Sequence, residues 1–112
     1  MPRVWFITGS SRGFGHEWTH AALDRGDRVA ATARRVERLQ AVSEHYGDAV
    51  LPLSLDVTDR AAVFSAVERA AEHFGALDVV VNNAGYGHRA MVEELSEHDV
   101  RRELETNFFG AL

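Results

Sequence analysis

Short, nearly continuous apolar runs alternate along this chain with longer stretches in which apolar residues recur every three or four positions. The runs predict strands over residues 4–8, 28–33, 50–55 and 79–82. The first and last are almost wholly apolar, the pattern of strands covered on both faces. The longer stretches predict helices. One spans 13–25 and closes at Gly26, with Phe14, Trp18, Ala21 and Ala22 marking its sheet-facing side. A second spans 36–46, with Val36, Leu39 and Val42 inward, and closes at Gly47. A third spans 59–74, with Val63, Val67, Ala70, Ala71 and Phe74 on one stripe, Thr58 or Asp59 as its cap and Gly75 as its stop. A last helix is expected near Ser96, where Ser96 and Asp99 form a weak capping box.

Strand–helix alternation of this kind implies an α/β fold with a parallel sheet and right-handed crossovers. At 112 residues the chain holds one domain at most. With 46% hydrophobic and 26% charged residues it has the balance of a chain with a packed core. The absence of cysteine excludes a disulfide scaffold, a thiolate metal site and a cysteine nucleophile. A net charge of −5 argues against a general nucleic-acid or anionic-membrane surface. No signal peptide is legible at the start, and no apolar run approaches the ~18 residues of a membrane span. The expectation is a soluble cytoplasmic protein without nucleic-acid or membrane partners.

After the first predicted strand comes Thr8-Gly9-Ser10-Ser11-Arg12-Gly13-Phe14-Gly15, leading directly into a helix. Gly9 lets the chain leave the strand in a tight turn, Gly13 lets backbone approach a pyrophosphate, and Gly15 allows close helix–strand packing. Exposed main-chain N–H groups and the positive helix end favour an anion there. A structural turn would use glycine too, but a strand before and a helix after are the context a dinucleotide site requires.

These residues resemble the short-chain dehydrogenase/reductase family, whose glycine motif is Thr-Gly-x-x-x-Gly-x-Gly. Asp56-Val57-Thr58 after the third strand is similar to the family's adenine-contacting acidic motif. Asn82-Asn83-Ala84-Gly85 matches its signature at the end of the fourth strand, and Asn107 stands where the family keeps a helical catalytic asparagine. The resemblance implies a Rossmann-type doubly wound parallel sheet, incomplete here, of about four strands in the order 3-2-1-4 with flanking helices. It implies hydride transfer between nicotinamide and a small-molecule carbonyl or alcohol substrate, in a protein that is a homo-oligomer when complete. The implied cofactor-binding residues are Thr8, Gly9, Ser10, Ser11, Arg12, Gly13, Phe14, Gly15, Asp56, Val57, Asn83, Ala84 and Gly85, with Asn107 catalytic.

The cofactor's charge is read at the end of the second strand. There, ~20 residues past the glycines, NAD-dependent enzymes place an acid on the ribose 2′-OH. The sequence has Ala33-Arg34-Arg35 instead, with no acid before Glu37. A guanidinium holds a 2′-phosphate bidentately where a carboxylate would repel it. Arg34 before Arg35, with Arg12 in the glycine turn, favours NADP over NAD; the plain alternative is a solvated helix start.

Two further features carry candidate chemistry. His16-Glu17-Trp18-Thr19-His20 is a literal His-Glu-x-x-His, which on a helix can hold zinc in a hydrolase. Its place in the first helix of a dinucleotide unit, with both histidines expected toward solvent and no third ligand signposted, leaves no metal assigned. Asn107 lies on the inward stripe of the last helix, where a buried amide requires a hydrogen-bond partner. It serves either as a backbone anchor or, by resemblance, in the proton relay.

The family's proton donor is a tyrosine whose phenol, ordinarily near pKa ~10, is activated by a lysine four residues on. Val50 follows Tyr46 at that spacing, Ala90 follows Tyr86, and there is no lysine anywhere in the chain. Residues 1–112 are thus expected to be a single partial dinucleotide-binding domain, truncated before the catalytic Tyr-x-x-x-Lys segment and inactive alone. A non-catalytic dinucleotide-binding module is the alternative, and a zinc hydrolase a distant one. The fourth strand is expected to form an unpaired apolar edge, leaving the chain marginally stable or self-associating.

Overall fold

The computed structural model describes residues 2–11, 13–82 and 91–94. Strand β1 (Val4–Ile7) leads through the glycine-rich turn into helix α1 (Gly13–Asp24), then β2 (Arg28–Ala33). A 3-10 turn over Val36–Leu39 runs into α2 (Gln40–Tyr46), and a shorter one over Gly47–Ala49 enters β3 (Val50–Ser54). Helix α3 (Arg60–Phe74), β4 (Val79–Asn82) and β5 (Met91–Glu94) follow.

The strands lie in the order β3-β2-β1-β4-β5. The first four pair in parallel, with Phe6 opposite Ala30 on one side and Val80 on the other. This is the expected doubly wound arrangement, 3-2-1-4. The added strand β5 pairs antiparallel with β4, setting Val81 opposite Val92. That pairing overturns the expectation that β4 is a bare edge: the ladder groups on its outer side are satisfied by β5. At the opposite edge, β3 has β2 as its one strand neighbour among the described residues, and it carries Pro52, a residue that sheets tolerate on edge strands.

Alternation along each strand divides the core between the sheet's faces. Val4, Phe6, Ala30, Leu53 and Val80 pack with Val63, Ala66, Val67 and Ala70 of α3. Ile7, Val29, Ala31, Val79 and Val81 pack on the other face with Ala22 and Leu23 of α1 and Leu39 and Val42. Asp59 caps α3 by accepting from the Ala62 N–H at 3.1 Å. Gly75 ends it in the left-handed region at φ +86°, where its N–H returns to the Ala71 carbonyl at 2.8 Å.

Two helix faces differ from expectation. In α1 the buried residues are Gly15, Thr19, Ala22 and Leu23, while Phe14 is 62% exposed and Ala21 is exposed. Close approach to the sheet selects small side chains rather than the most apolar ones. Thr19 tolerates burial because its hydroxyl donates to the Gly15 carbonyl at 2.7 Å. The expected helix over 36–46 begins as a 3-10 turn, which leaves Val36 exposed while Leu39 and Val42 are buried.

At the amino-terminal edge of the sheet, two carboxylates hold the start of β1. Buried Asp27 accepts from Trp5 Nε1 at 3.0 Å and the Arg3 N–H at 3.1 Å. Asp78 accepts from the Val4 N–H at 2.8 Å. Burial by itself raises the Asp27 pKa, but these donors, with Arg25 beside them, more than offset it and hold the carboxyl below its usual range.

Candidate cofactor site

Beyond β1 the chain runs to β2 on one side and later to β4 on the other. The crevice at the carboxyl ends of these strands is where open α/β sheets bind ligands. The glycine-rich turn is pinned across it. Thr8 N–H donates to the Val81 carbonyl at 3.0 Å, toward β4, and Ser10 N–H donates to the Thr32 carbonyl at 2.8 Å, toward β2. The Ser10 hydroxyl donates back to the Ile7 carbonyl at 2.8 Å. Thr8 and Ser10 are both buried, so their polar groups shape the turn from within.

Gly9 and Gly13 have φ of +62° and +63°, values that side chains rarely adopt. A Cβ built on Gly13 meets nothing within 4 Å, so open space lies where α1 presents its first N–H groups. That combination of left-handed backbone, an unfilled approach and a positive helix end fits a bound diphosphate. Gly15 is buried within α1, and Phe14 extends outward to stack on Trp18 at 5.7 Å.

Arg34 and Arg35 emerge exposed at the end of β2. The Ser54 hydroxyl donates to the Arg34 carbonyl at 3.1 Å, tying this segment to the end of β3. The Arg34 guanidinium lies 3.7 Å from Asp56 Oδ2 and remains 83% exposed. Asp56 turns its other oxygen to Thr58, accepting from the hydroxyl at 2.7 Å and the N–H at 2.9 Å. Those bonds, the hydroxyl first, hold its carboxyl below the usual range, and Arg34 adds to them. Val57 is half-buried and packs against the α3-side core.

The fold therefore brings the glycine turn, Arg34, Arg35, Asp56 and Val57 to one end of the sheet. Arg12, Asn83, Ala84, Gly85 and Asn107, and the expected helix near Ser96, lie outside the described residues. Sequence reasoning did not anticipate the Arg34–Asp56 pair or the use of Thr58 to orient Asp56. The Asp-x-Thr spacing carried that signal, since an aspartate commonly bonds backbone two residues on. His16 and His20 share one side of α1, with ring centroids 4.3 Å apart. Among the described residues no three His, Cys, Asp or Glu side chains are grouped to hold a metal ion, and no helix is long and apolar enough to cross a membrane.

The doubly wound parallel sheet with a glycine turn at its switch point defines a Rossmann-type dinucleotide-binding fold. A family profile described as short chain dehydrogenase matches residues 3–112. An oxidoreductase of Botryotinia fuckeliana, BOA17, is 46% identical over 113 residues, covering 100% of this chain and 41% of that protein. A probable NADP-dependent dehydrogenase of Dichelobacter nodosus is 49% identical over 82 residues, covering 73% of this chain and 77% of that protein. The crystal structure of a 3-ketoacyl-(acyl-carrier-protein) reductase from Brucella melitensis, complexed with NADH, superposes with a TM-score of 0.70 at 37% identity, covering 78% of this chain and 36% of that one. The chain belongs to the short-chain dehydrogenase family. It spans about two fifths of the length of the first of these relatives.

Proposed function

We propose that residues 1–112 supply the cofactor-binding part of an NADP(H)-linked oxidoreductase that exchanges hydride between nicotinamide and a small-molecule carbonyl or alcohol substrate. The observation that carries this reading is the left-handed, open Gly13 at the head of α1, one strand away from an exposed Arg34. Main chain over Gly9, Ser11, Arg12, Gly13, Phe14 and Gly15, shaped by Thr8 and Ser10, would hold the diphosphate. Arg34, with Arg35 and Arg12, would hold the 2′-phosphate. Asp56 and Val57 would flank the adenine, and Asn83, Ala84 and Gly85 would border the cofactor beyond β4. When bound, the cofactor supplies or accepts the hydride at its nicotinamide ring. In this chain Asn107 is assigned to the proton relay, which also needs a tyrosine–lysine pair that these 112 residues do not contain.

Support for the 2′-phosphate assignment is electrostatic. The end of β2 offers two guanidiniums, and Asp56, the carboxylate paired with Arg34, is also engaged with Thr58. A charge-assisted bidentate contact contributes about 1.5–3 kcal/mol, roughly ten- to a hundredfold in affinity. The D. nodosus relative, described as NADP-dependent, is consistent with this choice, and the B. melitensis relative, complexed with NADH, is the counterexample. Titration with NADPH and NADH, wild type against Arg34→Ala, tests it. NADPH is expected to bind more tightly and to lose at least tenfold on substitution while NADH changes little. Equal affinities for the two cofactors, unchanged by the substitution, would refute the assignment.

A further inference from the structure

The dinucleotide reading leaves the His-Glu-x-x-His stretch of α1 without a role. His16 and His20 lie one helical turn apart, with ring centroids separated by 4.3 Å and planes tilted by 55°. His16 is exposed and His20 half-buried, so both rings border solvent. Hydrogen bonding on the far side of His20 selects its tautomer. Tyr46 Oη donates to Asp24 Oδ1 at 2.5 Å, which commits the phenol proton because an ionised carboxylate only accepts. His20 Nδ1, 3.3 Å from the same phenol oxygen, therefore faces an acceptor and carries the ring proton. In the neutral imidazole the lone pair is then on Nε2. A histidine whose second nitrogen is tied through a hydrogen bond to an anchored oxygen has the outer support that metal-binding imidazoles use.

We propose that His16 and His20 form a two-imidazole chelating site for a borderline divalent transition-metal ion, with Tyr46 and Asp24 as positioning residues behind His20. Imidazole nitrogen suits Zn²⁺, Ni²⁺ and Cu²⁺ and discriminates against Mg²⁺ and Ca²⁺, which prefer oxygen. Two rings fill only part of a coordination shell, and among the described residues no third ligand joins them. Water or an added small ligand completes the shell, so the ion is exchangeable.

The test is calorimetric titration of Zn²⁺ and Ni²⁺, with Mg²⁺ as control, into tag-free protein stripped of metal. One ion per chain is expected for Zn²⁺ and Ni²⁺ and none for Mg²⁺. His16→Ala and His20→Ala should each weaken uptake at least tenfold, Tyr46→Phe several-fold, and His73→Ala, on α3, not at all. In wild-type protein, NMR of the histidine ring protons should show Zn²⁺-dependent shifts at His16 and His20 alone, a readout independent of whether any variant folds. Absence of saturable uptake, uptake unchanged in the double His16→Ala, His20→Ala variant, or shifts centred on other histidines would overturn the site. Wild-type affinity in Tyr46→Phe would overturn the positioning role.

Discussion

Replacing Gly13 by alanine separates what the glycine turn does for folding from what it does for a ligand. Its φ of +63° is left-handed, and a Cβ there meets no atom within 4 Å. The folded state thus suffers no protein clash, only the conformational penalty of a left-handed alanine, about 1–2 kcal/mol. For a chain near this length that lowers the melting temperature by roughly 4–8 °C. Gly26, at φ +91°, is an internal control, since its Cβ also meets nothing within 4 Å. It follows α1 at the amino-terminal end of β2, away from the crevice. Gly26→Ala should lower stability by a similar amount and leave dinucleotide affinity alone. Gly13→Ala should lower affinity at least tenfold besides, more than about 1.4 kcal/mol, because the new methyl enters the space assigned to the diphosphate. Thermal melts followed by circular dichroism give the first quantity, and NADPH titration by fluorescence gives the second. If Gly13→Ala melts early yet binds NADPH as wild type does, the diphosphate does not lie against this backbone and the cofactor assignment falls.

Other expectations rest on packing and on charge. Phe6 is fully buried on the α3 side of the sheet, so Phe6→Ala should destabilise by about 3–5 kcal/mol in urea titrations. A loss under about 1 kcal/mol would mean that this face is not packed as described. Asp27 has a folded pKa depressed below that of the unfolded chain. Its stabilising contribution is therefore complete above the ordinary aspartate value near ~3.9 and is lost as pH falls through the lower folded value. Urea midpoints measured from pH 7 down to 3 should fall more steeply below about pH 4 in wild type than in Asp27→Asn. Parallel curves for the two proteins would exclude this contribution.

The Arg34–Asp56 pair adds a constraint to the cofactor reading. Both groups are substantially exposed, so the pair itself contributes little stability. Its consequence is positional: Asp56, oriented by Thr58, stands beside the guanidinium proposed to meet the 2′-phosphate. Loss of Asp56 should therefore affect NADPH more through the placement of Arg34 than through folding.

Local information determined the elements of this protein. Apolar runs marked the strands, and β2 and β4 fall where those runs do, because strands covered on both faces must be apolar throughout. Asp59 and Gly75 bounded α3 through capping chemistry that needs only neighbours in sequence. The glycine spacing announced a turn into a helix for the same reason. Tertiary structure decided what depends on distance between elements. The buried side of α1 is set by how closely it approaches the sheet, which favours Gly15 and Thr19 over Phe14. The antiparallel partner of β4 comes from residues 91–94, a pairing no local pattern specifies. The links of Arg34 to Asp56 and of His20 through Tyr46 to Asp24 join residues 22 to 26 apart in sequence, and only the folded chain brings them within hydrogen-bonding or ion-pair range.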